Sequence, residues 1–123
     1  MLEISDEQFQ ELINKALGDL KGEHVRNIKN VAILFADEPS EAQRHKLQLL
    51  PYQSLYGLYE GMPLAFRQGQ THLFPDKITI FKGPMLRAAT TMGELEEQIK
   101  HTLWHEIAHY YGLDHDKIDK LEQ

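Results

Sequence analysis

The chain has 123 residues, 13 Lys and Arg against 19 Asp and Glu for a net charge of −6, and no cysteine. This length fits one compact domain with a modest core and little room for a second lobe, so residues 1–123 are expected to form a single unit. Without cysteine there is no disulfide, thiolate nucleophile or Cys-ligated zinc, and an acidic chain with no Lys/Arg cluster argues against a phosphate-tracking surface, so no nucleic-acid partner is expected.

From the N-terminus, Met1 to Phe9 has no basic stretch followed by an apolar run, and no segment reaches the roughly 18 consecutive apolar residues that span a bilayer. A cytoplasmic protein with no membrane contact is expected. Ser5 and Gln8 form a capping-box pair, and Phe9, Leu12, Ile13, Ala16, Leu17 and Leu20 then share one stripe, which predicts a helix from about Asp6 to Leu20. The continuous apolar run Val31–Ala36 predicts a buried strand. Pro39 to Leu50 is ambiguous, with a short helix as one reading. Tyr52 to Met62 reads as a strand or extended loop, and Arg67 to Pro75 as loop. Asp76 to Lys82 alternates between two faces and stops at Gly83-Pro84, as a half-buried strand does.

From Thr91 the period changes to that of a helix. Thr91 and Glu94 form a second capping-box pair, Leu95, Ile99, Leu103, Ile107 and Tyr110/Tyr111 continue the stripe, and Gly112 is placed as the residue that ends it. A last short helix is expected over Asp116 to Gln123.

The chemistry is concentrated in His105 to His115, which reads H-E-x-x-H-x-x-G-x-x-H. At 3.6 residues per turn, His105 and His109 stack on one helix face and can grip one ion. Glu106, about 100° round the helix, can reach a metal-bound water without displacing it. The turn at Gly112 can bring His115 back as a third ligand, and three protein ligands with one open position describe a catalytic zinc site. By composition, H-E-x-x-H is expected about 0.04 times in this chain, and the added Gly and His lower that to roughly 0.0001. The plain alternative is a helix whose histidines are solvated. The expected chemistry is water activation by Zn2+, with Glu106 taking the proton as the water attacks a peptide carbonyl and returning it to the leaving amine.

Other residues carry weaker signals. His101, one turn before His105, is an alternative ligand or, more simply, an exposed or supporting residue. Asp114 could ligate in place of His115 or orient an imidazole. His24, His45 and His72 lack partners at ligand spacing and read as surface residues. Glu96 and Glu97 favour the helix dipole. Tyr52, Tyr56, Tyr59, Tyr110 and Tyr111 include candidate hydrogen-bond donors to a developing oxyanion, with packing the simpler role for each. Trp104 reads as packing.

Three stretches, Gly57–Leu64, Pro75–Pro84 and His101–His115, resemble the short single-domain bacterial predicted zinc metallopeptidases called mini-zincins. The resemblance implies an α+β, minimal zincin-like fold with a small mixed sheet packed on the motif helix, His105 and His109 as ligands, and Glu106 as catalytic acid/base. Members of that family commonly carry Asp at the third-ligand position, where this chain has His115 preceded by Asp114, so either can be the ligand. The eight residues after His115 contain no Met, so neither the Met-turn of larger metzincins nor the downstream Glu of gluzincins is expected. The same run also resembles the H-x-x-x-H-x-x-G-x-D-H signature of bacterial rRNA-maturation endoribonucleases, which carry a small residue where this chain has Glu106. Glu106 and the net negative charge favour a peptide or protein substrate. A metal-binding interaction domain without turnover is a third reading. An extended peptide is expected to pair with the edge of Ile78–Phe81 or of Gly57–Glu60. Because the motif lies near the end of a short chain, the cleft is expected to be open, completed by a partner or a second copy, or weak in binding isolated peptides.

Overall fold

The computed structural model describes residues 2–20, 28, 31–61 and 76–112. Helix α1 runs Asp6–Asp19, close to the predicted span, and starts as its capping residues dictate. The Gln8 N–H donates to Ser5 Oγ at 3.1 Å, and the Ser5 N–H donates to Gln8 Oε1 at 2.8 Å. Its stripe is real: Phe9, Ile13 and Ala16 are buried, and Leu12, Leu17 and Leu20 pack partly buried beside them.

Three strands follow, β1 (Val31–Ala36), β2 (Gly57–Glu60) and β3 (Asp76–Phe81), in the spatial order β1-β3-β2. β1 is parallel to β3 and β2 is antiparallel to it, so the sheet is mixed. The burial of the two longer strands is the reverse of the sequence reading. Val31–Ala36 is only half-buried, with Leu34 exposed, because β1 has one neighbour among the described residues. Asp76–Phe81 is buried on both faces except at Lys77, because it is the central strand. Ile78 to Phe81 therefore has no free edge, and the expectation that it pairs with a peptide is corrected; of the two edges expected, Gly57–Glu60 remains.

Helix α2 (Glu41–Lys46) lies within the ambiguous segment and is capped reciprocally by Ser40 and Gln43, as Ser5 and Gln8 cap α1. Gln43 Nε2 donates to Glu60 Oε1 at 2.9 Å, tying α2 to the end of β2. Gly83-Pro84 ends β3 as predicted, but it also lies inside a short helix, α3 (Lys82–Ala88), which the sequence reading missed. Pro84 is the third helical residue, where the missing N–H is one that no helix bonds internally.

Helix α4 (Met92–Tyr110) is the longest element. Thr91 Oγ1 accepts from the Glu94 N–H at 3.1 Å, but the reciprocal half of the expected capping box is diverted. Glu94 Oε2 instead accepts from both the N–H and the hydroxyl of Thr90, each at 2.7 Å. Leu95, Ile99, Leu103, Ile107 and Tyr110 are fully buried, so the predicted stripe is the one that faces the core. Trp104 packs against that core, as expected. α1 and the sheet both rest on α4. At its end Gly112 adopts φ 83°, and its N–H donates to the His109 carbonyl at 2.9 Å, which is the left-handed turn predicted there. Asp116 to Gln123 and Arg67 to Pro75 lie outside the described residues. Among the described residues no helix is long and apolar enough to cross a membrane.

Candidate metal centre

The buried stripe of α4 fixes the rotation of the helix, and that rotation decides where the motif residues point. His105 and His109 are partly exposed, and Glu106 between them is 8% exposed. The two imidazole centroids are 4.9 Å apart with planes at 73°, the one-turn stacking that the spacing predicts. One ligand atom from each of His105, Glu106 and His109 lies within 4.8 Å of the others, so the three could hold one metal ion.

Of the other predicted residues, His101 stands one turn back, exposed, with its ring centroid 6.3 Å from that of His105, and is not in this cluster. His45 is exposed on α2. Glu96 accepts an ion pair from Lys15 of α1 at 3.2 Å, a surface contact of small energetic weight. His115, Asp114, His24 and His72 lie outside the described residues.

The carboxylate of Glu106 has a partner that no side-chain pattern announces. The backbone N–H of Tyr59 in β2 donates to Glu106 Oε1 at 3.0 Å. Burial pushes the Glu106 carboxyl up from 4.5 to about 7, while this hydrogen bond opposes the rise. Tyr59 in turn donates its phenol O–H to Asp76 Oδ2 at the start of β3. Its ring meets Tyr110 edge-on, with centroids 6.3 Å apart and planes at 80°.

β2 and α4 enclose a groove of about 360 Å³ lined by Tyr56, Gly57, Gln98, His101, Thr102, His105 and Glu106. A larger depression of about 690 Å³ beside α2 is lined by Glu41, Arg44, His45, Gln48, Leu49 and Pro51 and contains none of the cluster residues. The smaller groove is therefore the one with chemistry in its wall. Gly57 lets β2 approach the helix closely: a Cβ there would stand 2.5 Å from Thr102 Cγ2 and 3.3 Å from the Thr79 carbonyl oxygen. Gly57→Ala is accordingly expected to destabilise the fold by about 1–3 kcal/mol through overpacking, measured by denaturant unfolding. An unchanged midpoint would mean that β2 moves off the helix without cost.

A family model described as zincin-like metallopeptidase matches residues 28–123. Among solved structures, a conserved hypothetical protein from Thermo thermophilus is similar at a TM-score of 0.60 and 22% identity, covering 88% of this chain and 94% of its own. That likeness concerns the fold. No curated protein matches the sequence.

Proposed function

The chain belongs to the zincin-like metallopeptidase family, and on that premise we propose that it is a zinc-dependent peptidase acting as a single domain over residues 1–123. The observation that carries the reading is the His105–Glu106–His109 cluster, whose ligand atoms lie within 4.8 Å of one another and two of whose members, His105 and Glu106, line a groove. The donor set suits zinc: two imidazole nitrogens one helical turn apart, with a carboxylate beside them already engaged through one oxygen by a backbone N–H. The third ligand in this reading is His115, with Asp114 as its alternative.

When bound, zinc supplies a Lewis acid that acidifies water and polarises the peptide carbonyl. His105 and His109 would hold it through ring nitrogens. Glu106 keeps Oε1 on the Tyr59 N–H, takes the proton of the attacking water on Oε2, and delivers it to the departing amine nitrogen. Burial of this carboxyl in the metal-free chain makes a proton taken near neutral pH one that can also be given back, while a neighbouring dication favours the charged form. The substrate is a peptide or protein segment lying in the groove between β2 and α4.

The test is hydrolysis of a broad peptide panel by zinc-loaded protein, beside structured RNA. Chelator-sensitive peptide cleavage is the expected result. Cleavage of RNA alone, or of nothing, would overturn the peptidase reading.

A further inference from the structure

A carboxylate that moves a proton has two oxygens, and which one faces the substrate is a matter of what holds the other. In Glu106 the held oxygen is Oε1, and its donor is the amide of Tyr59. β2 spans only four residues and has β3 on one side alone among the described residues. Pairing with β3 by itself leaves such a short edge strand free to twist or fray. Beside the Gln43–Glu60 bond at the end of β2, Tyr59 carries further restraints. It is paired with Ile78, and its phenol reaches diagonally across β3 to Asp76, which is 2% exposed. Its ring rests against Tyr110, a fully buried residue of the same helix as Glu106.

We infer that Tyr59 is a positioning residue for Glu106: the phenol–Asp76 bond and the Tyr110 contact lock β2 so that its amide fixes Oε1 and reserves Oε2 for the proton. This rests on Glu106 being the proton carrier of the proposed peptidase. It has a consequence for substrate binding as well, because a peptide pairing along β2 finds the Tyr59 amide already engaged and can pair there only by displacing Glu106.

The experiment uses the full chain, metal-free and zinc-loaded, as wild type, Glu106→Gln, Tyr59→Phe and Asp76→Asn. Amide exchange and chemical shifts read the hydrogen bond directly. The residue 59 amide proton is expected downfield in wild type and, because Gln Oε1 still accepts from it, protected and only modestly shifted in Glu106→Gln. In Tyr59→Phe and Asp76→Asn, exchange at that amide is expected to accelerate about tenfold or more while amides of α4 keep their protection. On a cleaved peptide, Tyr59→Phe is expected to lower kcat about tenfold with KM and bound zinc unchanged. Asp76→Asn preserves volume and serves if Tyr59→Phe fails to fold. An unchanged residue 59 amide in both variants would overturn the inference, as would a loss of kcat matched by an equal loss of zinc. If wild type cleaves no peptide, the proposed function falls and the amide measurements still decide the role of Tyr59.

Discussion

Glu106→Gln is expected to lower kcat/KM for peptide cleavage about a hundred- to ten-thousand-fold while one zinc remains bound. Gln keeps the side-chain length and an Oε1 that accepts from the Tyr59 N–H, so the groove is preserved and only the proton carrier is removed. The same substitution has a stability signature with a definite sign. Burial raises the Glu106 carboxyl from 4.5 to about 7, so between these values the folded metal-free chain holds a proton that the unfolded chain has lost. The contribution of Glu106 to stability is therefore complete below pH 4.5 and is lost as pH rises toward 7. In the presence of chelator, Glu106→Gln should match wild type near pH 4 and be more stable at pH 8, by up to about 3 kcal/mol. Denaturant midpoints at the two pH values check this, and an equal difference at both would show that the buried charge is not the cause. Retained peptidase activity would remove Glu106 from the mechanism.

Phe9→Ala is expected to cost about 3–5 kcal/mol. Phe9 is fully buried, packs edge-on against Phe35 of β1 at a centroid distance of 5.3 Å, and lies on the α1 face that contributes to the core beneath α4. Truncation removes a ring from a core in which Ile13, Ile78 and Leu103 are themselves fully buried. α1 lies outside the residues that match the family model, yet it rests on the helix that carries the cluster. The expected result is a lower denaturant midpoint with an unchanged slope; a loss below about 1 kcal/mol would mean that α1 contributes little to seating the motif helix.

The elements legible in the sequence were those written in local chemistry. α1 and α4 follow from Ser5, Thr91 and two apolar stripes, and Gly112 ends α4 because its left-handed backbone suits a residue without Cβ. α2 carries the same Ser-x-x-Gln signal as α1, at Ser40 and Gln43, so the clue was present in a segment whose apolar period is weak. α3 was hidden because a Gly-Pro pair that ends a strand can equally sit in the first turn of a helix. The burial of β1 and β3 depends on which strand is central, and strand order is a property of non-local pairing that Val31–Ala36 and Asp76–Phe81 do not carry separately. Within the site, the spacing put His105 and His109 one turn apart as expected, with Glu106 beside them and near enough to share one ion. The Tyr59 amide left no trace in the sequence, because every residue but proline has an N–H and only the fold selects which one meets Glu106.

A metal site built on α4 makes a plain stoichiometric demand, which metal analysis reads. Purified wild type should carry about one zinc per chain, Glu106→Gln should retain it, and His105→Ala should lose it, with His115→Ala and Asp114→Ala compared to identify the third ligand. Wild type without stoichiometric zinc after reloading, or His105→Ala that keeps its zinc in full, would contradict the account.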